Sequence, residues 1–218
     1  MSLTDFASAR NNMVDGQIRP NKVTDARIIT AMRSLPRERF LPADLAARAY
    51  CDEDVPLGGG RALMEPMVIA RLVQSAELSI GDQVLVAACG TGYGAALMAS
   101  CGAVVTAFEE DDRLLAIARS ALGAVTPAVK LVPARLTEGV PGQWDVIIIE
   151  GAVPEIPPAY ARLLKPGTGR LLTVLAGRGP VGQAVMAEPS GTRLATRVLF
   201  DCATPVLPAL KVSPAFAF

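Results

Sequence analysis

The run Val84-Leu85-Val86-Ala87-Ala88-Cys89-Gly90-Thr91-Gly92-Tyr93 passes from an apolar, β-rich segment straight into a Gly-x-Gly turn, and a carboxylate, Glu109, closes the next apolar run twenty residues past Cys89. Gly90 and Gly92 have no Cβ, so a ligand can approach their backbone closely, and a helix opening there aims its free N–H groups at the same spot. An acid at the distance of Glu109 accepts hydrogen bonds from ribose hydroxyls in nucleotide-binding folds. The layout is that of a nucleotide site, with Ala88 standing where a first glycine is expected. Cys89 falls at the helix N-terminus, where thiols acidify, but no histidine or second cysteine accompanies it and packing is the better reading. Tyr93 is expected as an anchor whose ring can touch the ligand. A second carboxylate, Glu150, ends the apolar run Ile147-Ile148-Ile149. It can bind a cationic ligand group, hold a substrate, or sit as a partly solvated loop acid.

These residues need elements to hold them. From Gly81 onward short β-rich runs alternate with helical stretches: strand Gln83–Ala88, helix Gly92–Cys101, strand Val104–Phe108, helix Asp112–Leu122. That alternation implies a parallel sheet, continued by strands near Val129–Val132, Asp145–Ile149 and Arg170–Leu175 and a helix near Pro158–Leu164. Gln183–Ala187 and Arg193–Phe200 flank a Glu188-Pro189-Ser190-Gly191 turn and read as an antiparallel pair. Open sheets bind ligands beyond the carboxyl ends of their strands, where the strand order reverses, and Cys89–Tyr93, Glu109–Asp111, Ala134-Arg135 and Glu150–Val153 all fall at such ends. Ahead of the sheet, Thr24 is expected to cap a helix through Leu35, a short helix is expected over Ala43–Tyr50, and a mobile Gly58-Gly59-Gly60 joint precedes a helix from Pro66 to Leu78. The expected organisation is a helical cap over residues 1–80 packed on a main domain over 81–218, in one compact unit.

Composition narrows the chemistry. Lys+Arg and Asp+Glu both total 21, so no net field recruits nucleic acid or an anionic membrane. The mean hydropathy of +0.36 comes from dispersed Ala, Val and Leu, and no apolar run approaches the roughly eighteen residues of a membrane span. The start lacks the basic and apolar regions of an export signal, and the four cysteines show no C-x-x-C pairing. A cytoplasmic protein with neither disulfides nor a metal site is expected. The absence of histidine removes Ser-His-Asp and Cys-His catalysis and the zinc hydrolase motifs together.

Several segments, in order and spacing, resemble the protein-L-isoaspartate (D-aspartate) O-methyltransferase family. They are Leu35-Pro36-Arg37-Glu38-Arg39-Phe40, the Gly58–Ala70 loop, the glycine turn, Trp144-Asp145-Val146-Ile147, Gly151-Ala152-Val153-Pro154-Glu155-Ile156-Pro157 and Leu164-Lys165-Pro166-Gly167-Thr168-Gly169-Arg170-Leu171, and the match spans Asp25 to Pro208. The resemblance implies a Rossmann-like class I methyltransferase sandwich, with a mostly parallel seven-stranded sheet, helices on both faces and an N-terminal helical cap. It implies S-adenosylmethionine as cofactor, S-adenosylhomocysteine as product, and protein repair by methyl transfer to an isoaspartyl carboxylate of a peptide or protein. A carboxylate is already ionised at neutral pH, so such a reaction asks mainly for proximity and orientation, which a histidine-free chain can supply.

On that alignment the cofactor site comprises Ala88, Cys89, Gly90, Gly92, Tyr93, Glu109, Glu110 and Arg135, with Glu109 on the ribose. Glu110, Asp111 and Asp112 also read as the acidic first turn of the next helix. The substrate side comprises Met64, Glu65 and Glu150. The departures from the family pattern fall at the site itself. Its Thr-Ile-Ser-x-Pro loop is Ala62-Leu63-Met64-Glu65-Pro66 here, so the serine thought to position the substrate carboxylate is Met64 and Glu65 adds a repelling charge if it faces inward. One lost hydrogen bond to a charged group is worth about 1.5–3 kcal/mol. The first-strand acid is Val86, and the Gly-Asp pair that reaches the adenine amine is Ala134-Arg135. Arg135 can pair with Glu109 or Glu110 and fill the pocket, bind an anionic ligand, or lie exposed. Two alternatives to the family reaction therefore stand: a methyltransferase with another substrate, and a non-catalytic binding or regulatory module on the same fold, with oligomerisation open.

Overall fold

The computed structural model describes residues 5–191 and 193–211. Asp5 caps α1 (Phe6–Met13), which the sequence reading did not anticipate, and a π-helical turn follows over Val14–Ile18. The cap of α2 (Ala26–Ser34) is Asp25, not Thr24: its Oδ1 accepts from Arg27 N at 2.8 Å, while Gln74 Oε1 takes the amides of both Thr24 and Asp25. Leu35 turns extended ahead of Pro36 and ends the helix. The helix expected over Ala43–Tyr50 shrinks to a 3₁₀ turn, Ala46–Arg48. The carbonyls just beyond it are taken by side chains, Arg37 Nε donating to Ala49 O and Gln17 Nε2 to Tyr50 O. The expected glycine joint is the turn of a hairpin, β1 (Val55–Gly58) and β2 (Arg61–Leu63), whose two-stranded sheet stands apart from the main one. α3 (Pro66–Ser75) follows, with Pro66 in its first turn.

The alternating series then appears, except that the helix expected near Pro158–Leu164 is only a short 3₁₀ helix: β3 (Gln83–Ala87), α4 (Tyr93–Ser100), β4 (Val104–Glu109), α5 (Asp112–Val125), β5 (Lys130–Pro133), β6 (Val146–Val153), β7 (Arg170–Leu175), β8 (Gly182–Ser190) and β9 (Arg193–Cys202). The sheet order is β5-β4-β3-β6-β7-β8-β9, parallel except that β8 runs antiparallel to both neighbours. Chain order reverses beside β3, which lies between β4 and β6, so the crevice of the fold opens at the carboxyl end of β3.

Period-two alternation divides the strands between two cores. Val84, Val86, Val105, Ala107, Ile148 and Leu172 pack with the buried side chains of all five α-helices. Leu85, Ala87, Phe108, Ile147, Ile149 and Leu171 face the other way, where the cover is Tyr160 of a 3₁₀ helix (Pro158–Arg162) and the loop residues Leu136, Trp144, Leu164 and Leu207. The N-terminal helices share the first core with the sheet, which fixes the hairpin over the crevice. Among the described residues no helix is long and apolar enough to cross a membrane.

Candidate active site

The glycine turn has the shape its sequence announced. Gly90 and Gly92 have φ of 57° and 93°, and Ala88 is held at φ 51°, a left-handed conformation that glycine adopts freely and alanine does not. The missing first glycine is therefore a strained alanine. Gly92 gives its space to the protein itself, since a Cβ there would lie 2.9 Å from Leu122 of α5. Cys89 is fully buried, and burial, with Glu150 and Glu109 adding, pushes its thiol well above the ordinary range; this matches the packing role.

Glu109 ends β4 at the lip of the crevice and is fully buried. Its Oε1 accepts from the amides of Glu110 at 2.9 Å and Asp111 at 3.0 Å, and its Oε2 from Gly90 N at 2.8 Å. The rest of its capacity goes to a residue the sequence reading did not select. Arg61, from β2, donates Nη1 to Oε1 at 2.7 Å and Nη2 to Oε2 at 2.9 Å, and Nη2 also donates to Ala88 O at 2.9 Å. Burial works against the Arg61 charge, but the hydrogen bonds and field of Glu109 outweigh it and raise the guanidinium pKa. Arg135 does not pair with either acid: it is exposed, and Glu110 accepts instead from the backbone amide of Leu136 at 3.0 Å. Nor does Glu110 belong to the helical first turn, where Asp111 is the cap and Asp112 the first residue.

The substrate-side residues divide. Met64 is buried, with its carbonyl accepting from Arg37 Nη2. Glu65 stands at the N-cap position of α3 without a side-chain cap bond and lines an acidic cleft with Asp52, Glu53 and Asp54; burial first, then Asp52 and Asp54, raise its pKa. Glu150 is turned inward by an irregularity in the β6–β7 pairing between Ile148 and Ala152, which Thr173 Oγ1 braces by donating to Gly151 O at 3.2 Å. Its carboxylate fills the space over Gly94 where any Cβ would collide, so the first turn of α4 is built around it.

Arg37, also unselected from the sequence although its segment carries the resemblance, is completely buried with its guanidinium 4.5 Å above the Tyr93 ring, and Phe40 meets that ring edge-on at 5.5 Å. Tyr93 is thus the anchor expected. Arg37 Nη1, Tyr93 Oη, Thr91 Oγ1 and Glu150 Oε1 are buried without a hydrogen-bond partner, although buried polar atoms ordinarily have one. Burial pushes the Glu150 carboxyl up to about 8 against the pull of Arg61 and Arg37, with Glu109 pushing the same way as burial. The crevice thus holds a saturated carboxylate beside the glycine turn, at Glu109, and a set of polar atoms without partners around Glu150.

A parallel sheet with a Gly-x-Gly turn after its central strand and an acid ending the neighbouring strand defines a Rossmann-like fold of the class I methyltransferase type. The chain belongs to the protein-L-isoaspartate (D-aspartate) O-methyltransferase family, whose model matches residues 8–187. It is 34% identical to the protein-L-isoaspartate O-methyltransferase of Koribacter versatilis, over 92% of this chain and 90% of that one. The Methylorubrum extorquens enzyme of the same name is 36% identical over 84% of this chain and 79% of its own. Among solved structures, a putative protein-L-isoaspartate O-methyltransferase from Plasmodium falciparum in complex with S-adenosyl-L-homocysteine superposes with a TM-score of 0.75 at 16% identity, over 93% of this chain and 98% of that one.

The family implies S-adenosylmethionine, and the residues can be tested against it. The glycine turn and the placement of Glu109 suit a ribose, but both carboxylate oxygens are bonded to Arg61. The cavity beside them, about 130 Å³ and lined by Arg61, Glu110 and Leu136, is below the roughly 300 Å³ of a small-molecule site. In this conformation the residues do not accommodate the cofactor.

Proposed function

We propose that the protein is an S-adenosylmethionine-dependent carboxyl methyltransferase acting on isoaspartyl residues of peptides or proteins. The observation that carries this reading is the retention of Glu109 at the lip of the glycine turn, its Oε2 on Gly90 N, in a chain 34% identical to a named enzyme of that activity over nearly its full length. The cofactor supplies the methyl group, and the acceptor needs only orientation because its carboxylate is already charged. Arg37, whose Nη2 donates to the Met64 carbonyl and whose Nη1 has no partner, is a buried cation at the position of the absent serine. The four cysteines are free thiols, three of them buried, which supports a cytoplasmic location.

The test is incubation with S-adenosylmethionine and an isoaspartyl peptide, with methyl ester formation followed by mass spectrometry. Ester on the isoaspartyl peptide and none on its aspartyl counterpart is the expected result. A second reading, a non-catalytic module, is favoured by one observation, the Arg61–Glu109 pair. It predicts no ester and no cofactor binding under any condition.

A further inference from the structure

Arg61 ties two separate parts of the chain together. It leaves the hairpin and crosses 48 positions of sequence to reach Glu109, making both bonds of a bidentate pair and a third to the Ala88 carbonyl. The side chains are 7% and 0% exposed. The two acceptor oxygens that a ribose diol would use are the two that Arg61 holds. The guanidinium also lies 3.9 Å from where a Cβ on Gly90 would be, so it occupies the close-approach space which that glycine leaves open.

We propose that Arg61 is an intramolecular occupant of the ribose position and that the tip of the β1–β2 hairpin is a gate, so that the cofactor enters only after Arg61 has left Glu109. This rests on the reading of the crevice as an S-adenosylmethionine site.

The strands of the hairpin are anchored in the core by Val55, Leu57 and Leu63, so the part free to move is its glycine tip with the Arg61 side chain. The tip is three successive glycines at φ 83°, 59° and 74°, and the strands pair only with each other. Besides Arg61, the tip is held by Arg113, whose Nη1 donates to Leu57 O at 2.7 Å, and packs near Pro208, which lies 3.1 Å from where a Gly60 Cβ would sit. Arg61 lines the cavity of about 130 Å³ beside Gly59 and Pro208, and its Nη2 lies 3.9 Å from where a Gly90 Cβ would be, so the guanidinium borders both that space and the glycine turn. A site whose competent state is a minor population binds with an apparent Kd raised by the inverse of that fraction, so an open state of about 1–10% weakens binding by about tenfold to a hundredfold.

The experiment is calorimetric titration of the full chain with S-adenosylhomocysteine, wild type against Arg61→Ala, with stopped-flow binding rates on both. The substitution is expected to tighten binding at least tenfold. The wild-type rate is expected to level off as ligand rises, because opening limits it, and the variant rate to keep climbing. Equal or weaker binding by Arg61→Ala overturns the gate and leaves the cofactor reading standing. Absence of binding by both proteins at millimolar ligand overturns the two together. Arg61→Ala leaves a buried carboxylate without its countercharge, so Arg61→Gln, which keeps an amide donor, serves if the alanine variant does not fold: a severalfold gain in affinity supports the gate and no gain overturns it.

Discussion

Two buried carboxylates border the same glycine turn under opposite circumstances. Glu109 accepts from three backbone amides and both terminal nitrogens of Arg61, whereas Glu150 lies against Gly94 with one oxygen unpartnered. Both are withdrawn from water, so burial alone does not distinguish them; the donors around each do. The saturated site excludes a ligand until something leaves. The unsaturated one has capacity to spare, together with Arg37, Tyr93 and Thr91.

The largest effect should come from breaking the saturated side. Arg61→Ala and Glu109→Ala each strand a buried partner, and each should cost about 3–5 kcal/mol in denaturant unfolding. The double variant should cost clearly less than the sum, because the pair is lost as a unit. Additive costs would show that the two side chains do not depend on each other.

The unsaturated side should report through pH. The folded-state pKa of Glu150 is raised from 4.5 to about 8, so between those values the folded protein binds the proton that the unfolded chain has released. The contribution is fully present below about pH 4.5 and is lost as pH rises toward 8, a fall on the order of a few kcal/mol. Glu150→Gln should flatten that decline across the window. An unchanged pH profile in the variant would place the proton elsewhere.

Much of this comparison was legible in the chain before the fold. The Gly-x-Gly turn after a buried run and the acid at the end of the next strand put Gly90, Gly92 and Glu109 at the strand ends where the fold has them, because local pattern fixes strand ends in a parallel sheet. Ala88 stands where the pattern asks for a first glycine, and its positive φ is the physical reason a glycine suits that position. The occupant of Glu109 was not legible. The family alignment points to Arg135, but Arg61 arrives from 48 residues away on a hairpin whose strands are only four and three residues long. Nor does sequence show that Glu150 is aimed inward, which depends on the irregular β6–β7 pairing and on the absence of a side chain at Gly94.

Smaller effects sharpen the two sides separately. Gly94→Ala drives a methyl into the Glu150 carboxylate and should cost about 1–3 kcal/mol in thermal or denaturant unfolding, most of it recovered when Glu150→Ala is added. An undiminished cost in the double variant would mean that the backbone, not Glu150, crowds that position. Ala88→Gly relieves a left-handed alanine and should stabilise by about 0.5–1 kcal/mol, readable as a rise in Tm. A loss of stability there would show that the turn is not strained.

The central claim, that the cofactor and Arg61 compete for one carboxylate, is tested most directly by a crystal structure of the protein with S-adenosylhomocysteine bound. The prediction is ribose hydroxyls on Glu109, with Arg61 and the hairpin tip displaced from the crevice. A bound nucleoside with the Arg61–Glu109 pair intact would contradict it.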